Sequence, residues 1–214
     1  MMGTTKDRYG LCGGSILNDE YILTAAHCVV GKNVTVRTGI TSLKESEKNA
    51  PFIPGTYKLH PKYKNGGDDY EIAIIKLKTK LKLDGKIRKA VELIESGADI
   101  PAGTNVTVSG WGRTAENARR GSTHLRAVST TVISKEICKR RTHYTPRKIC
   151  AERSGGGYNA CNGDSGGPLV LTETRKQIGA VSYGVQNRCA SAPVIYSNIA
   201  DAEMRDWIKS VTGI

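Results

Sequence analysis

The chain has 214 residues, a formal net charge of +12, 24 glycines and six cysteines. That length can bury a substantial core. No stretch approaches the ~20 apolar residues of a membrane-spanning helix, and aromatics at 6% with no reader motif exclude a nucleic-acid-binding module.

In chain order, residues 15–24 read as two short strands about an Asn18-Asp19 turn. Val34-Thr35-Val36-Arg37 alternates like a half-buried strand. Ile72-Ala73-Ile74-Ile75 is a buried-strand run, and residues 76–83 prolong it with lysines outward. Residues 106–109, 178–183 and 194–197 give three more strands. From 201 to 211 the apolar side chains Ala202, Met204, Trp207, Ile208 and Val211 recur at helical spacing, which predicts a terminal amphipathic helix. Short strands between Gly and Pro turns predict an all-β barrel or sandwich. The glycine-rich stretch 154–158 is a loop and not a phosphate cradle, because no Lys-Ser/Thr pair and helix follow it in register.

Two short motifs carry chemistry. Gly163-Asp164-Ser165-Gly166-Gly167-Pro168 sets a serine in a glycine-walled turn, where backbone N–H groups can face a developing oxyanion. Thr24-Ala25-Ala26-His27-Cys28 supplies an imidazole, the usual base for a serine hydroxyl. Further marks are Cys12-Gly13-Gly14-Ser15, Ser109-Gly110-Trp111-Gly112, Val181-Ser182-Tyr183-Gly184 and Asp206-Trp207-Ile208-Lys209. With these, the sequence resembles the chymotrypsin/trypsin-family serine proteases from about Cys12 to its end. Residues 72–112 most resemble mite digestive trypsins.

The resemblance implies an all-β fold of two six-stranded antiparallel β-barrels, the first truncated at its N-terminus, with a C-terminal helix. One peptidase domain would span 1–214, in halves of about 1–105 and 106–200. It implies three disulfides, Cys12–Cys28, Cys138–Cys150 and Cys161–Cys189. Six cysteines in a chain of this size fit an oxidising compartment and a secreted protein. The resemblance makes Ser165 the nucleophile and His27 the general base and then acid. The N–H groups of Gly163 and Ser165 form the oxyanion hole, and Ser182 lines the strand that meets substrate backbone. It implies polypeptide substrates or protein inhibitors as partners, a monomer and no cofactor.

Three positions depart from the family pattern. The acid that orients the imidazole is an Asp in the family; here Glu71 fills the position, with Asp69 as the alternative on the same strand side. The extra methylene must be accommodated, and a misplacement of about 1 Å can cost on the order of 100-fold in rate. Asp164 is the family's partner for an ammonium freed by activation at an Ile-Val-Gly-Gly start, which this sequence lacks. Either a preceding segment is missing or activation has been lost. Asn159 takes the floor of the specificity pocket, where trypsins carry Asp, beside Tyr183 and Gly184. Val194 stands on a wall where trypsins have Gly, so the pocket narrows and cleavage after Lys or Arg is disfavoured.

The remaining signals are general. Lys76, Lys78, Lys80, Lys82, Lys86, Arg88 and Lys89 form one basic run, and Lys139, Arg140, Arg141, Arg147 and Lys148 a second. They suit a polyanion such as a glycosaminoglycan, or simply a solvated surface. Asn33 and Asn105 head glycosylation sequons. Glu45 and Glu47 lie where some trypsins hold calcium, but the loop is short and lysine-rich, so no metal is expected. Two functions stand: a weakened serine endopeptidase that is not Arg/Lys-specific, or an inactive homologue acting as a binding or decoy protein.

Overall fold

A computed structural model describes residues 2–4, 11–184, 188–189 and 191–214; Met1, at the start of the chain, lies outside them. Among the described residues, twelve strands divide between two sheets. The first holds β1 (Met2–Thr4), β2 (Ser15–Ile16), β3 (Tyr21–Thr24), β4 (Val34–Val36), β5 (Ile53–Leu59) and β6 (Ala73–Leu77), in the order β1-β4-β5-β6-β3-β2. The second holds β7 (Asn105–Gly110), β8 (Arg126–Val132), β9 (Lys148–Glu152), β10 (Pro168–Leu171), β11 (Gln177–Gly184) and β12 (Val194–Asn198). It closes into a barrel ordered β10-β11-β12-β9-β8-β7. All strand pairs are antiparallel. The fold is mostly β, as the resemblance implies; among the described residues only the second sheet is a closed barrel.

Local sequence explains most elements. Asn18 makes the expected turn between β2 and β3, its Oδ1 accepting from the N–H groups of Glu20 and Tyr21. The run after Ile75 departs from expectation. The strand ends at Leu77 and Leu83 is exposed: the Lys78 N–H still donates to Pro54 O at 2.8 Å and the Leu81 N–H to Asp19 O at 2.7 Å, but among the described residues no strand ladder continues past Leu77. The strand β5 was not apparent in the sequence, since Pro54 and Gly55 are poor strand formers and the sheet, not propensity, holds them.

Each sheet encloses its own core. Ile22, Val34, Val36, Ala73 and Ile75 fill the first; Val106, Val108, Leu169, Ile178 and Tyr196 fill the second. A third cluster joins the chain's end to the first sheet. Of the helices α1 (Ala26–Val29), α2 (Lys135–Arg141) and α3 (Ala202–Thr212), α3 buries Met204 and Ile208 against Leu17, Leu23, Ile72 and Ile74. Asp201 caps it by accepting from the Met204 N–H at 3.2 Å, and Gly213 ends it at φ +78°. That packing pins Ile72, the residue directly after Glu71.

Candidate active site

His27 rides on α1 (Ala26–Val29), a single turn directly after β3. Ala25 and Ala26 are fully buried, so only small side chains fit beside it. The Cys12–Cys28 disulfide ties that turn to the chain's start, and Thr24 Oγ1 donates to the Gly13 carbonyl at 2.9 Å. Glu71 stands just before β6 and is 3% exposed. Its Oε1 accepts from the His27 backbone N–H at 3.0 Å and lies 2.8 Å from His27 Nδ1. The carboxylate therefore fixes the imidazole from two sides, and favours the tautomer that leaves Nε2 free to accept a proton.

Asp69 serves elsewhere. Its carboxylate accepts from Thr145 Oγ1 at 2.9 Å and from Arg147 Nε at 2.8 Å, with Arg147 Nη2 on its other oxygen. Glu71 is the acid at the imidazole.

Ser165 sits in the turn between β9 and β10. Glycine is required on either side of it. Gly163 has φ +101°, and Gly166 has φ +79°, where a Cβ would fall 2.2 Å from Thr24 Oγ1. The Gly166 N–H donates to Val181 O at 2.7 Å and the Gly167 N–H to Asp164 O at 2.8 Å. The N–H groups of Gly163 and Ser165 have no acceptor among the described residues, so both remain available to an incoming oxygen. No hydrogen bond joins Ser165 Oγ to His27 Nε2 in this resting geometry. Such contacts often tighten only with substrate present.

Asp164 is buried, and its carboxylate accepts from the Gly112 N–H at 2.7 Å and the Cys161 N–H at 2.9 Å. Burial pushes its pKa up, and those two amides oppose the shift. Gly110 and Gly112 are obligatory here, since a Cβ on either would meet the carboxylate at 2.0 and 2.3 Å. No cation among the described residues pairs with it.

A small cavity of about 50 Å³ opens beside Ser165, lined by Cys161, Val181, Tyr183, Gly184, Cys189 and Val194 among others. Val194 is 2% exposed, and its Cγ2 lies 3.9 Å from where a Cβ on Gly184 would stand. Those two walls face each other. Asn159 does not line this cavity. Its Nδ2 donates to Ala151 O at 3.2 Å, its Oδ1 accepts from the Ala160 N–H at 2.9 Å, and it borders the larger neighbouring space with Arg113 and Arg153.

Ser182 does more than line a strand. The register of β11 on β12 shifts between Val181 and Tyr183, leaving Ser182 at an irregularity that turns its side chain inward. It is buried and donates to Glu71 Oε2 at 2.5 Å. Behind it lies Lys148, a member of the second basic run. Lys148 is 2% exposed, so the surface assignment fails for it. Arg147 is occupied by Asp69, and Arg141 by Glu152 at 2.7 Å. The second basic run is thus partly internal and partly neutralised. In the first run, Lys76, Lys78, Lys82, Lys86 and Lys89 remain exposed.

The six cysteines pair as Cys12–Cys28, Cys138–Cys150 and Cys161–Cys189, with none free. Cys12, His27 and Cys28 bring potential ligand atoms within 4.8 Å of one another. Both sulfurs belong to a disulfide, so no thiolate is there to hold a metal. Glu45 accepts from the Thr41 and Ser42 N–H groups at 3.0 and 3.2 Å and closes its own turn; Glu47, its neighbour in the notional calcium loop, is exposed. The sequon residues Asn33 and Asn105 are exposed. Among the described residues no helix is long and apolar enough to cross a membrane.

The family model described as Trypsin matches residues 1–208. The chain is 32% identical over 207 residues to trypsin 5G1 of Aedes aegypti, covering 95% of this chain and 76% of that protein. It is 36% identical over 203 residues to a chymotrypsin of Phaedon cochleariae, covering 93% and 71%.

Proposed function

We propose that this chain, which belongs to the trypsin family, is a serine endopeptidase with His27, Glu71 and Ser165 as its triad. The observation that carries the reading is the 2.8 Å contact between His27 Nδ1 and the buried Glu71 carboxylate. His27 takes the Ser165 hydroxyl proton as Oγ attacks the peptide carbonyl. The N–H groups of Gly163 and Ser165 receive the oxyanion, and Glu71 stabilises the imidazolium. His27 then protonates the leaving amine, and water repeats the sequence on the acyl-enzyme.

The substrate is a polypeptide. The confined cavity with Val194 on its wall suits a small or medium apolar side chain before the scissile bond. Among the described residues no carboxylate lines that cavity, so Lys and Arg gain no ion pair there. The three disulfides support a secreted protein. A monomer is the expected state, and the exposed lysines of the first basic run are the surface open to a polyanion.

A second reading rests on two observations: Ser165 Oγ makes no hydrogen bond to His27, and Asp164 pairs with no cation among the described residues. Both suit an inactive homologue that binds proteins. The deciding experiment is reaction of the folded, disulfide-bonded protein with a fluorophosphonate probe. Covalent labelling that Ser165→Ala abolishes supports the protease. No labelling, even after an Ile-Val-Gly-Gly start is installed and freed, refutes it in favour of the binding protein.

A further inference from the structure

A buried cation stands behind the triad acid. Lys148 opens β9, and its Nζ donates to Ser182 Oγ at 2.8 Å; Ser182 Oγ donates to Glu71 Oε2 at 2.5 Å. Lys148 Nζ also lies 3.4 Å from Ser197 Oγ, which donates to the Glu71 carbonyl at 3.1 Å. One ammonium thus reaches both the carboxylate and the main chain of Glu71, each through a single serine. Lysine is almost never found this deep unless paired. Burying its charge costs several kcal/mol, and an apolar side chain would fill the space without that cost.

The hydroxyl between the two charges can point only one way. A serine has one proton to give, and an ammonium has no lone pair to receive it. While Lys148 is charged, Ser182 must accept from Lys148 and send its proton to Glu71. A neutral amine can accept that proton instead, and Glu71 Oε2 then loses its donor. We propose that Lys148 is a positioning residue for the triad acid: as an ammonium it commits the Ser182 proton to Glu71 and holds the long carboxylate against His27, and on losing its proton it releases that hold.

This rests on Glu71 acting as the triad acid. The groups around Lys148 are consistent with a site that titrates within the working range of a protease. Burial brings it down to about 8, against the opposing pull of Glu71, Asp69 and Asp68 and with the help of Arg147. Asp69 is itself spent on Arg147. The Tyr183 ring lies 5.4 Å from Nζ. Burial keeps that phenol neutral, and its hydroxyl donates to the His143 carbonyl. Glu71 is therefore the anion whose state Lys148 feels through one shared hydroxyl.

Two measurements test this on the intact, disulfide-bonded protein. The first follows the lysine side chains by NMR, taking as Lys148 the signal that K148M lacks. The expected midpoint near 8 moves down by about one pH unit in E71Q, which removes the anion that favours the ammonium. A midpoint that E71Q leaves in place overturns the proposal. The second is the pH profile of Ser165 labelling by a fluorophosphonate. The unaltered protein should lose rate as Lys148 deprotonates. K148M and K148Q, neutral at every pH, should both lack that alkaline limb and label about tenfold more slowly at pH 7. A lysine that merely fills space leaves the limb unchanged in both variants, which refutes the coupling. Absence of any labelling counts against the protease reading alone, and the NMR comparison then decides whether Lys148 and Glu71 are linked.

Discussion

Restoring the family's aspartate at position 71 is expected to harm this protein. Glu71→Asp shortens the side chain by one carbon–carbon bond, about 1.5 Å. The Oε1 contact with His27 Nδ1 is 2.8 Å. Withdrawn along that line, the acceptor would sit roughly 4 Å away, beyond hydrogen-bond range. The backbone has little freedom to follow. Ile72 is fully buried under α3, its carbonyl accepts from the His60 N–H at 3.2 Å, and the Glu71 carbonyl accepts from Ser197 Oγ at 3.1 Å. Ser182 would also lose its acceptor, which leaves a buried hydroxyl and the ammonium behind it poorly matched, at about 1–3 kcal/mol of stability. The labelling rate of Ser165 should fall on the order of 100-fold, with the fold intact by circular dichroism. Glu71→Gln should fall further, by about 10⁴, if the imidazole then loses its tautomer. An E71D variant that labels as fast as the unaltered protein, or faster, would refute the argument that the backbone at residue 71 cannot follow the shorter acid toward His27.

Val194→Gly should enlarge the cavity beside Ser165 and raise kcat/KM for Leu or Phe before the scissile bond by about 10–100-fold relative to Ala; a chromogenic peptide panel with unchanged preference, or with Arg preferred in the unaltered protein, contradicts the assignment of that wall. The same change should cost about 3 kcal/mol in chemical denaturation, from lost burial and added chain entropy. His60 is buried between Tyr70 and Trp207, and burial, foremost, lowers its pKa. Its folded form therefore resists protonation while the unfolded chain takes up a proton, so stability should fall as pH drops from the ordinary histidine value toward the lowered one. His60→Gln should flatten that part of the stability curve, measured by urea midpoints between pH 7 and 5. Removing the Cys12–Cys28 bridge, which spans 16 residues, by a double Ala substitution should lower stability by about 3 kcal/mol. Labelling should slow more than it does without Cys138–Cys150, because only the first bridge braces the His27 turn.

What the sequence determined was the chemistry that lies in contiguous residues. A glycine-walled Ser165 and an imidazole among small residues are local requirements, met within five or six positions. The turn at Asn18 and the helix after Asp201 follow equally local rules of capping and periodicity. Where neighbours in space are far apart in the chain, the tertiary structure decided. The choice between Asp69 and Glu71 turned on Arg147, 78 residues away from Asp69, which captures one carboxylate and leaves the other for His27. The side chain of Asn159 turned to the Ala151 carbonyl instead of the pocket beside Ser165. Lys148 read as surface charge because its chain neighbours are basic; it is internal because β9 faces it toward Ser182, 34 residues on. A hydrogen bond of this kind leaves no trace in a single sequence, since a serine and a lysine are each common at the surface. Their pairing has meaning only once burial has removed the water that would otherwise satisfy both.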